Sequence, residues 1–228
     1  MLQVDWLSLN SGWRINMPTI AKHNDLATVI FSFAVEPDRQ QELIDLLIDS
    51  LETTTKHQPG FVSATLHKSL DGTRVFNYAQ WRTQAEYETF AQSPEDQAIG
   101  AKFSQFQLLD SHIYEVSISK PDDATPKITI GDRIHLAYFR VKPENQQRLI
   151  DLERENVEIA LQHPDLISAN FHRSLDGTRT VNYGQWRSLD NFEALLKEPK
   201  YESVREYWKG LAENEFHLYE VVFTQPVE

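Results

Sequence analysis

An α+β chain of two like halves that close on each other as one barrel is predicted from three observations. The stretch His67–Arg82, HKSLDGTRVFNYAQWR, returns as His172–Arg187, HRSLDGTRTVNYGQWR, so the chain carries a tandem duplication. Each copy runs through the same order of alternating apolar stretches and helical spacings, strand-helix-strand-strand-helix-strand, which is the ferredoxin-like βαββαβ unit. Such a unit covers only one face of its four-stranded sheet with helices, and the second copy supplies the cover for the other. The expected architecture is two tandem ferredoxin-like domains forming an intrachain pseudo-dimeric α+β barrel.

The copies are expected over 27–118 and 133–223, after an N-terminal extension at 1–26 and on either side of a linker at 119–132 rich in Pro and Asp. Met17 lies within that extension, which reads either as a start-site extension or as an arm docked on the body. The apolar runs Ala27–Val35 and Ile134–Val141 read as first strands. Pro37 and Pro143 suit the first turn of a helix, where a missing amide hydrogen costs nothing. Leu43, Leu46, Leu47 and Leu51 then recur on one helical face, as do Leu149, Leu152, Val157 and Leu161. Asp71-Gly72 and Asp176-Gly177 interrupt alternating stretches and read as two-residue hairpin turns. Thr83 and Glu86 form a capping box that starts a second helix, and Ser188 caps its counterpart. HIYEV at 112–116 and HLYEV at 217–221 close each copy as a last strand.

With those turns, strand alternation sorts the repeated stretch onto two faces. One face pairs Val62 with Trp81, Ala64 with Ala79, and Leu66 with Asn77; in copy two it pairs Ile167 with Trp186, Ala169 with Gly184, and Phe171 with Asn182. The other face carries Ser63, Gln80, Thr65, Tyr78, His67 and Phe76, and in copy two Ser168, Gln185, Asn170, Tyr183, His172 and Val181, a mixed polar set suited to contact between copies. His67 and His172 are therefore expected to bridge the sheets, and His112 and His217 to bond at the seam. An amide among apolar neighbours costs about 1–3 kcal/mol if unpaired. Small residues beside it leave room under the helices, and a Trp two positions away supplies a flat wall with one N–H donor. This describes a pocket for a flat, oxygen-bearing ligand.

Composition narrows the chemistry. The chain has 228 residues, 34 acidic against 22 basic and a formal charge of −12, which opposes a nucleic-acid or anionic-membrane surface. Having no cysteine, it can form no disulfide, thiolate zinc site or iron–sulfur cluster, and no Cys nucleophile. Neither HExxH spacing nor a GxGxxG or GxxxxGK[ST] loop occurs, so neither a local metal motif nor a nucleotide-cofactor loop is present. No apolar run approaches the ~20 residues that cross a bilayer, and the first residues lack the apolar core of a secretion signal. A cytoplasmic protein is the expectation.

The stretches SLDGTRVFNYAQWRTQAEYETF and SLDGTRTVNYGQWRSLDNFEAL resemble the antibiotic-biosynthesis monooxygenase family in a tandem two-domain form, and the resemblance covers both copies. It implies subunits paired into a barrel with a pocket between sheet and helices, and oxidation of phenols or hydroquinones to quinones by O2 without metal, flavin or haem. By the same resemblance Asn77, Trp81 and Tyr87 are catalytic: an amide for the developing oxyanion, an indole that orients the ring, and a phenol that relays a proton. Val62, Ala64, Leu66 and Phe90 would bind substrate, as would Asn182, Trp186 and Phe192 in copy two. Phe192 stands where copy one has Tyr87, so the working site is expected in copy one. Relatives that degrade haem use a His in the second helix; Ala91 and Leu196 stand at those positions here. The partners expected are a small aromatic molecule and O2, with no nucleic acid or membrane, and the extension leaves pairing of whole chains into a homo-oligomer open. Two other readings fit the same pocket: a protein that binds an aromatic metabolite without turnover, and an enolate-type isomerase.

Overall fold

The computed structural model describes residues 18–22, 25–125, 127–190, 192 and 196–225. Copy one contributes β1 (Ala27–Ala34), α1 (Gln40–Thr53), β2 (Phe61–Ser69), β3 (Arg74–Trp81), α2 (Gln84–Ala91), α3 (Pro94–Phe103) and β4 (Gln107–Lys120). Copy two contributes β5 (Arg133–Val141), α4 (Pro143–Ala160), β6 (Leu166–Ser174), β7 (Arg179–Trp186), α5 (Glu202–Glu206) and β8 (Ala212–Gln225). The strands form one closed barrel in the order β1-β3-β2-β8-β5-β7-β6-β4. Its two halves are joined edge to edge, β2 to β8 and β4 to β6, with antiparallel pairing at both seams. The 14-residue strands β4 and β8 make this closure. At about 3.3 Å per residue each reaches from its own sheet into the other copy. Thus Ser111 pairs with Phe31 of β1, while Ser119 pairs with Asn170 of β6. Closure removes the open edges that an isolated sheet would present.

The barrel interior is built from Tyr78, Tyr114, Tyr138, Tyr183, Tyr219, Phe76 and aliphatic side chains. Buried phenols need hydrogen-bond partners, and for Tyr78 and Tyr183 two histidines supply them across the copies. His67 Nε2 lies 2.9 Å from the Tyr183 hydroxyl and His172 Nε2 lies 3.0 Å from that of Tyr78. Burial pushes the His67 pKa down to about 3 and that of His172 to about 4. Both rings are neutral at pH 7. The second pair of histidines also crosses the seam: His217 Nδ1 is 3.1 Å from Asp71, and His112 Nε2 is 3.3 Å from Asp176.

The hairpin turns differ from the expected two-residue form. The Gly72 amide bonds the Ser69 carbonyl, so Leu70 and Asp71 are the central residues. Gly72 follows with φ +78°, and Gly177 with +81°. The reason lies in the carboxylate: Asp71 Oδ1 accepts from the Ser69 hydroxyl and from the amide and hydroxyl of Thr73, closing an Asx-type turn. Burial alone would raise the Asp71 pKa, but these bonds and His217 outweigh it and hold the carboxyl well below its usual range. Register beyond the turn is as expected from Lys68↔Val75 to Ser63↔Gln80, then a bulge at Val62 shifts it, and Phe61 rather than Val62 faces Trp81. Leu166 likewise replaces Ile167 opposite Trp186.

Helix α1 buries Leu43, Ile44, Leu47, Ser50 and Leu51; α4 buries Leu149, Ile150, Glu153, Asn156 and Val157 among others. Gln40 Nε2 donates to the carbonyls of Ser69 and Arg74, and Gln146 repeats this with Ser174 and Arg179. One helix thus pins the base of each hairpin. The second helix of copy one is divided: Thr83 caps α2 and Ser93 caps α3, with Pro94 in the first turn. The helix expected after Ser188 falls mainly on 191 and 193–195, outside the described residues.

The extension and the linker occupy equivalent places. Thr19 bridges Lys127, and Ile20 and Ile128 are buried in the barrel interior. Gln80 donates to the Thr19 carbonyl, and Gln185 to that of Lys127. Met17 and the residues before it lie outside the described residues.

Candidate active site

Each copy holds one cavity between the outer face of its sheet and its helices. In copy one, β3 presents Asn77, Ala79 and Trp81 by strand alternation, and β1 adds Phe31 and Phe33. Helix α1 supplies Leu47, Ser50 and Leu51, and α2 and α3 supply Tyr87, Phe90, Asp96 and Phe103, around about 370 Å³. The walls are aromatic: Trp81 stacks on Phe90 at 5.2 Å and 24°, and lies 5.6 Å from the Tyr87 ring. Trp81 is 1% exposed and Asn77 5%. Asn77 Oδ1 is buried without a hydrogen-bond partner among the described residues, and so is the Ser50 hydroxyl. Such orphans cost about 1–3 kcal/mol each, a cost that a ligand with matching groups removes.

Tyr87 and Asp96 share this space. Burial pushes the Tyr87 hydroxyl up to about 12, with the Asp96 charge adding to the shift. Burial also raises the Asp96 carboxyl. Tyr87 therefore carries its proton at neutral pH, as a donor or relay must. Asp96 was not expected from the sequence; it lies in the first turn of α3, behind the Ser93 cap.

Val62, Ala64 and Leu66 are not among the lining residues. Ala64 and Leu66 are fully buried in the core cluster with α1 side chains. The bulge moves Val62 out of line with Trp81. The cavity opens on the other side of β3, where Phe31 of β1 pairs with Asn77. Phe90, by contrast, does line it.

Copy two encloses about 280 Å³, lined by Asn182, Trp186 and Phe192 from the expected set, and by Gly184. His135, His163, Tyr201 and Arg205 join them. His135 lies on β5 opposite Gly184. Its ring centroid is 4.8 Å from that of Phe192 and 5.3 Å from that of Phe216. Burial pushes its pKa down to about 4. Asn182 Oδ1, Trp186 Nε1 and the Tyr201 hydroxyl are buried without partners among the described residues. The signal for His135 was available in the alternation of RIHLAYFRV, which puts it on the cavity side of β5 with Ala137 and Phe139. Among the described residues no three His, Asp or Glu side chains converge as metal ligands, and no helix is long and apolar enough to cross a membrane.

Comparison with known proteins bears on the family and the fold. Residues 26–102 and 133–207 each match the family described as antibiotic biosynthesis monooxygenase. The chain is 46% identical over 78 residues to the tetracenomycin-F1 monooxygenase of Streptomyces glaucescens, covering 34% of this chain and 70% of that protein. The fold is shared with an anthrone oxidase-like protein at a TM-score of 0.79 and 23% identity, over 92% of this chain and 96% of that one. A protein of Fusobacterium nucleatum subsp. nucleatum follows at a TM-score of 0.61 and 12% identity, over 88% and 94%. Two family matches that together span most of the barrel identify this chain as a member of the antibiotic biosynthesis monooxygenase family, with two of its domains in tandem.

Proposed function

We propose that the chain is a cofactor-independent monooxygenase that oxidises a phenolic, hydroquinone or polycyclic aromatic substrate with O2 to a quinone, and that the copy-one cavity is a working site. In the overall change, a ring C–H and a phenol O–H give way to two carbonyls. One oxygen atom of O2 enters the ring, and the other leaves as water with the two hydrogens. An electron-rich phenolate can itself reduce O2, so the site has to favour the anion and hold it flat. Asn77 donates to, or accepts from, the reacting oxygen. The stacked Trp81 and Phe90 form a flat aromatic wall that holds the ring in one orientation, and Tyr87, held protonated by burial, returns a proton to the departing oxygen.

The observation that carries this reading is the buried Asn77 amide, whose Oδ1 has no partner among the described residues, in a cavity walled mainly by aromatic and aliphatic side chains. A store for apolar metabolites gains nothing from that orphan, whereas a substrate hydroxyl can donate to Oδ1 before it ionises, and the Nδ2 of the same amide can donate to the oxyanion that forms. The named activity of the Streptomyces glaucescens relative supports the same reaction class. The test is O2 consumption by metal-free protein with hydroquinones and anthrones. Asn77→Ala and Trp81→Phe, each measured with the second cavity disabled by Asn182→Ala, are expected to lower turnover by about 10²-fold, the usual cost of losing an oxyanion donor. Unchanged turnover in both would refute the assignment.

A further inference from the structure

We propose that the copy-two cavity is a second reaction site, in which the imidazole of His135 takes the proton of a phenolic or enolic hydroxyl and, once protonated, can return it as Tyr87 does in copy one. The oxidation that follows rests on the monooxygenase reading above; the proton transfer stands on the residues of this cavity.

Three exchanges between the copies occur together. Tyr87 becomes Phe192, removing a hydroxyl. Val29, which pairs with Ala79 on β3, becomes His135, which pairs with Gly184 on β7. Ala79 becomes Gly184, removing a methyl group from the floor between them. A Cβ placed on Gly184 would lie 3.1 Å from Trp186 Nε1 and 3.8 Å from His135 Nδ1. Both nitrogens therefore border the space that the missing methyl group leaves. The imidazole stands against the ring of Phe192, so proton-transfer capacity lost from one side of the cavity reappears beside it on β5.

The groups around it are those an ionising hydroxyl needs. His135 has no hydrogen-bond partner among the described residues; its ring packs at a tilt against those of Phe192 and Phe216. A histidine kept only for packing is normally satisfied by a carbonyl or hydroxyl, as His67 is by Tyr183. Asn182 Oδ1 and Trp186 Nε1 are orphaned on the same wall, an acceptor and a donor for the substrate oxygen. Burial keeps the empty-site imidazole neutral at pH 7, with a lone pair to accept the proton. In the transfer the substrate O–H bond breaks, an N–H bond forms on the ring, and the electron pair stays on oxygen. The imidazolium is made beside the phenolate, and the opposite charges offset the desolvation that opposed protonation. When the ring is oxidised the imidazolium gives this proton to the departing oxygen, which leaves as water; without oxidation the proton returns to the ligand.

The experiment uses the full chain with the first site disabled by Asn77→Ala. Two independent sites contribute additively, so this variant is expected to keep about half of the wild-type O2 uptake on anthrone. Adding His135→Val should lower the remainder by about 10²-fold. Adding Phe192→Tyr to that protein rebuilds the copy-one set and should recover at least about tenfold. A second readout needs no oxygen: 1,2-dihydroxyanthraquinone, which changes colour on ionisation, is bound at a pH where the free dye is un-ionised. It should ionise on the Asn77→Ala protein, and should bind un-ionised to the His135→Val double variant. Val already occupies the equivalent position of copy one; should it lower the melting temperature, His135→Gln replaces it as the test. Uptake and dye ionisation that survive both His135 substitutions overturn the proposal. His135-dependent dye ionisation without O2 uptake by any variant upholds the proton transfer and removes the monooxygenase reading instead.

Discussion

At the scale of single residues, the account depends on polar groups placed where protein partners are missing. Asn77 and Asn182 were legible in the sequence, because strand alternation alone puts them on an apolar face in both copies. Asp96 and His135 were not singled out, since each has an innocuous local reading, as a first-turn acid and as one residue of an apolar strand. Gly184→Ala tests how tightly the second cavity is drawn: the added methyl group meets Trp186 Nε1 at 3.1 Å, so affinity for a flat aromatic ligand should fall several-fold there with little loss of stability. Isothermal titration in an Asn77→Ala background would report it. Glu153 offers a test of electrostatics. It is fully buried on α4, accepts from the Thr180 hydroxyl at 2.8 Å, and burial raises its pKa to about 8. The folded state therefore holds a proton that the unfolded state has released above its ordinary value near 4.5. This contribution to stability is complete below pH 4.5 and is lost as pH rises to about 8. Thermal melts between pH 5 and 8 should show a steeper decline for wild type than for Glu153→Gln.

Among the elements, the hairpins show where sequence reasoning held and where it failed. The pairing of β2 with β3 was legible from Asp-Gly and alternation, and most of the register follows. The turn type was not, because it depends on an Asp71 side chain that binds Ser69 and Thr73. The bulge at Val62 was equally hidden, since no glycine or proline marks it, and it is one reason Val62 does not reach the cavity. Gly72→Ala examines the turn: at φ +78°, with a new Cβ 3.0 Å from Pro37, it should cost about 1–2 kcal/mol or more in chemical denaturation. The helices were read as amphipathic from leucine spacing. That spacing could not reveal that the second helix of copy one divides at Ser93-Pro94, which brings Asp96 and Phe103 over the sheet as separate walls.

For the whole molecule, duplication explains both the barrel and its asymmetry. The barrel was legible because one sheet face lacks a helical cover. Edge-to-edge closure through β4 and β8 was not, since it depends on how far those strands continue beyond their own sheet. A chain ending at residue 125 should expose the tyrosine-lined face and two sheet edges, and sedimentation should show a dimer or aggregate; a folded monomer would contradict this picture of closure. Duplication also releases the two cavities from identity, so that one keeps Tyr87 and the other carries His135. The central claim is oxygen transfer to an aromatic ring without a cofactor, and labelling tests it most directly. Metal-free protein is turned over with anthrone under 18O2, and the product is examined by mass spectrometry after rapid quenching. One labelled oxygen per quinone, lost in the Asn77→Ala/Asn182→Ala protein, is the predicted result; unlabelled quinone, or labelled product formed equally fast by that double variant, would contradict the account.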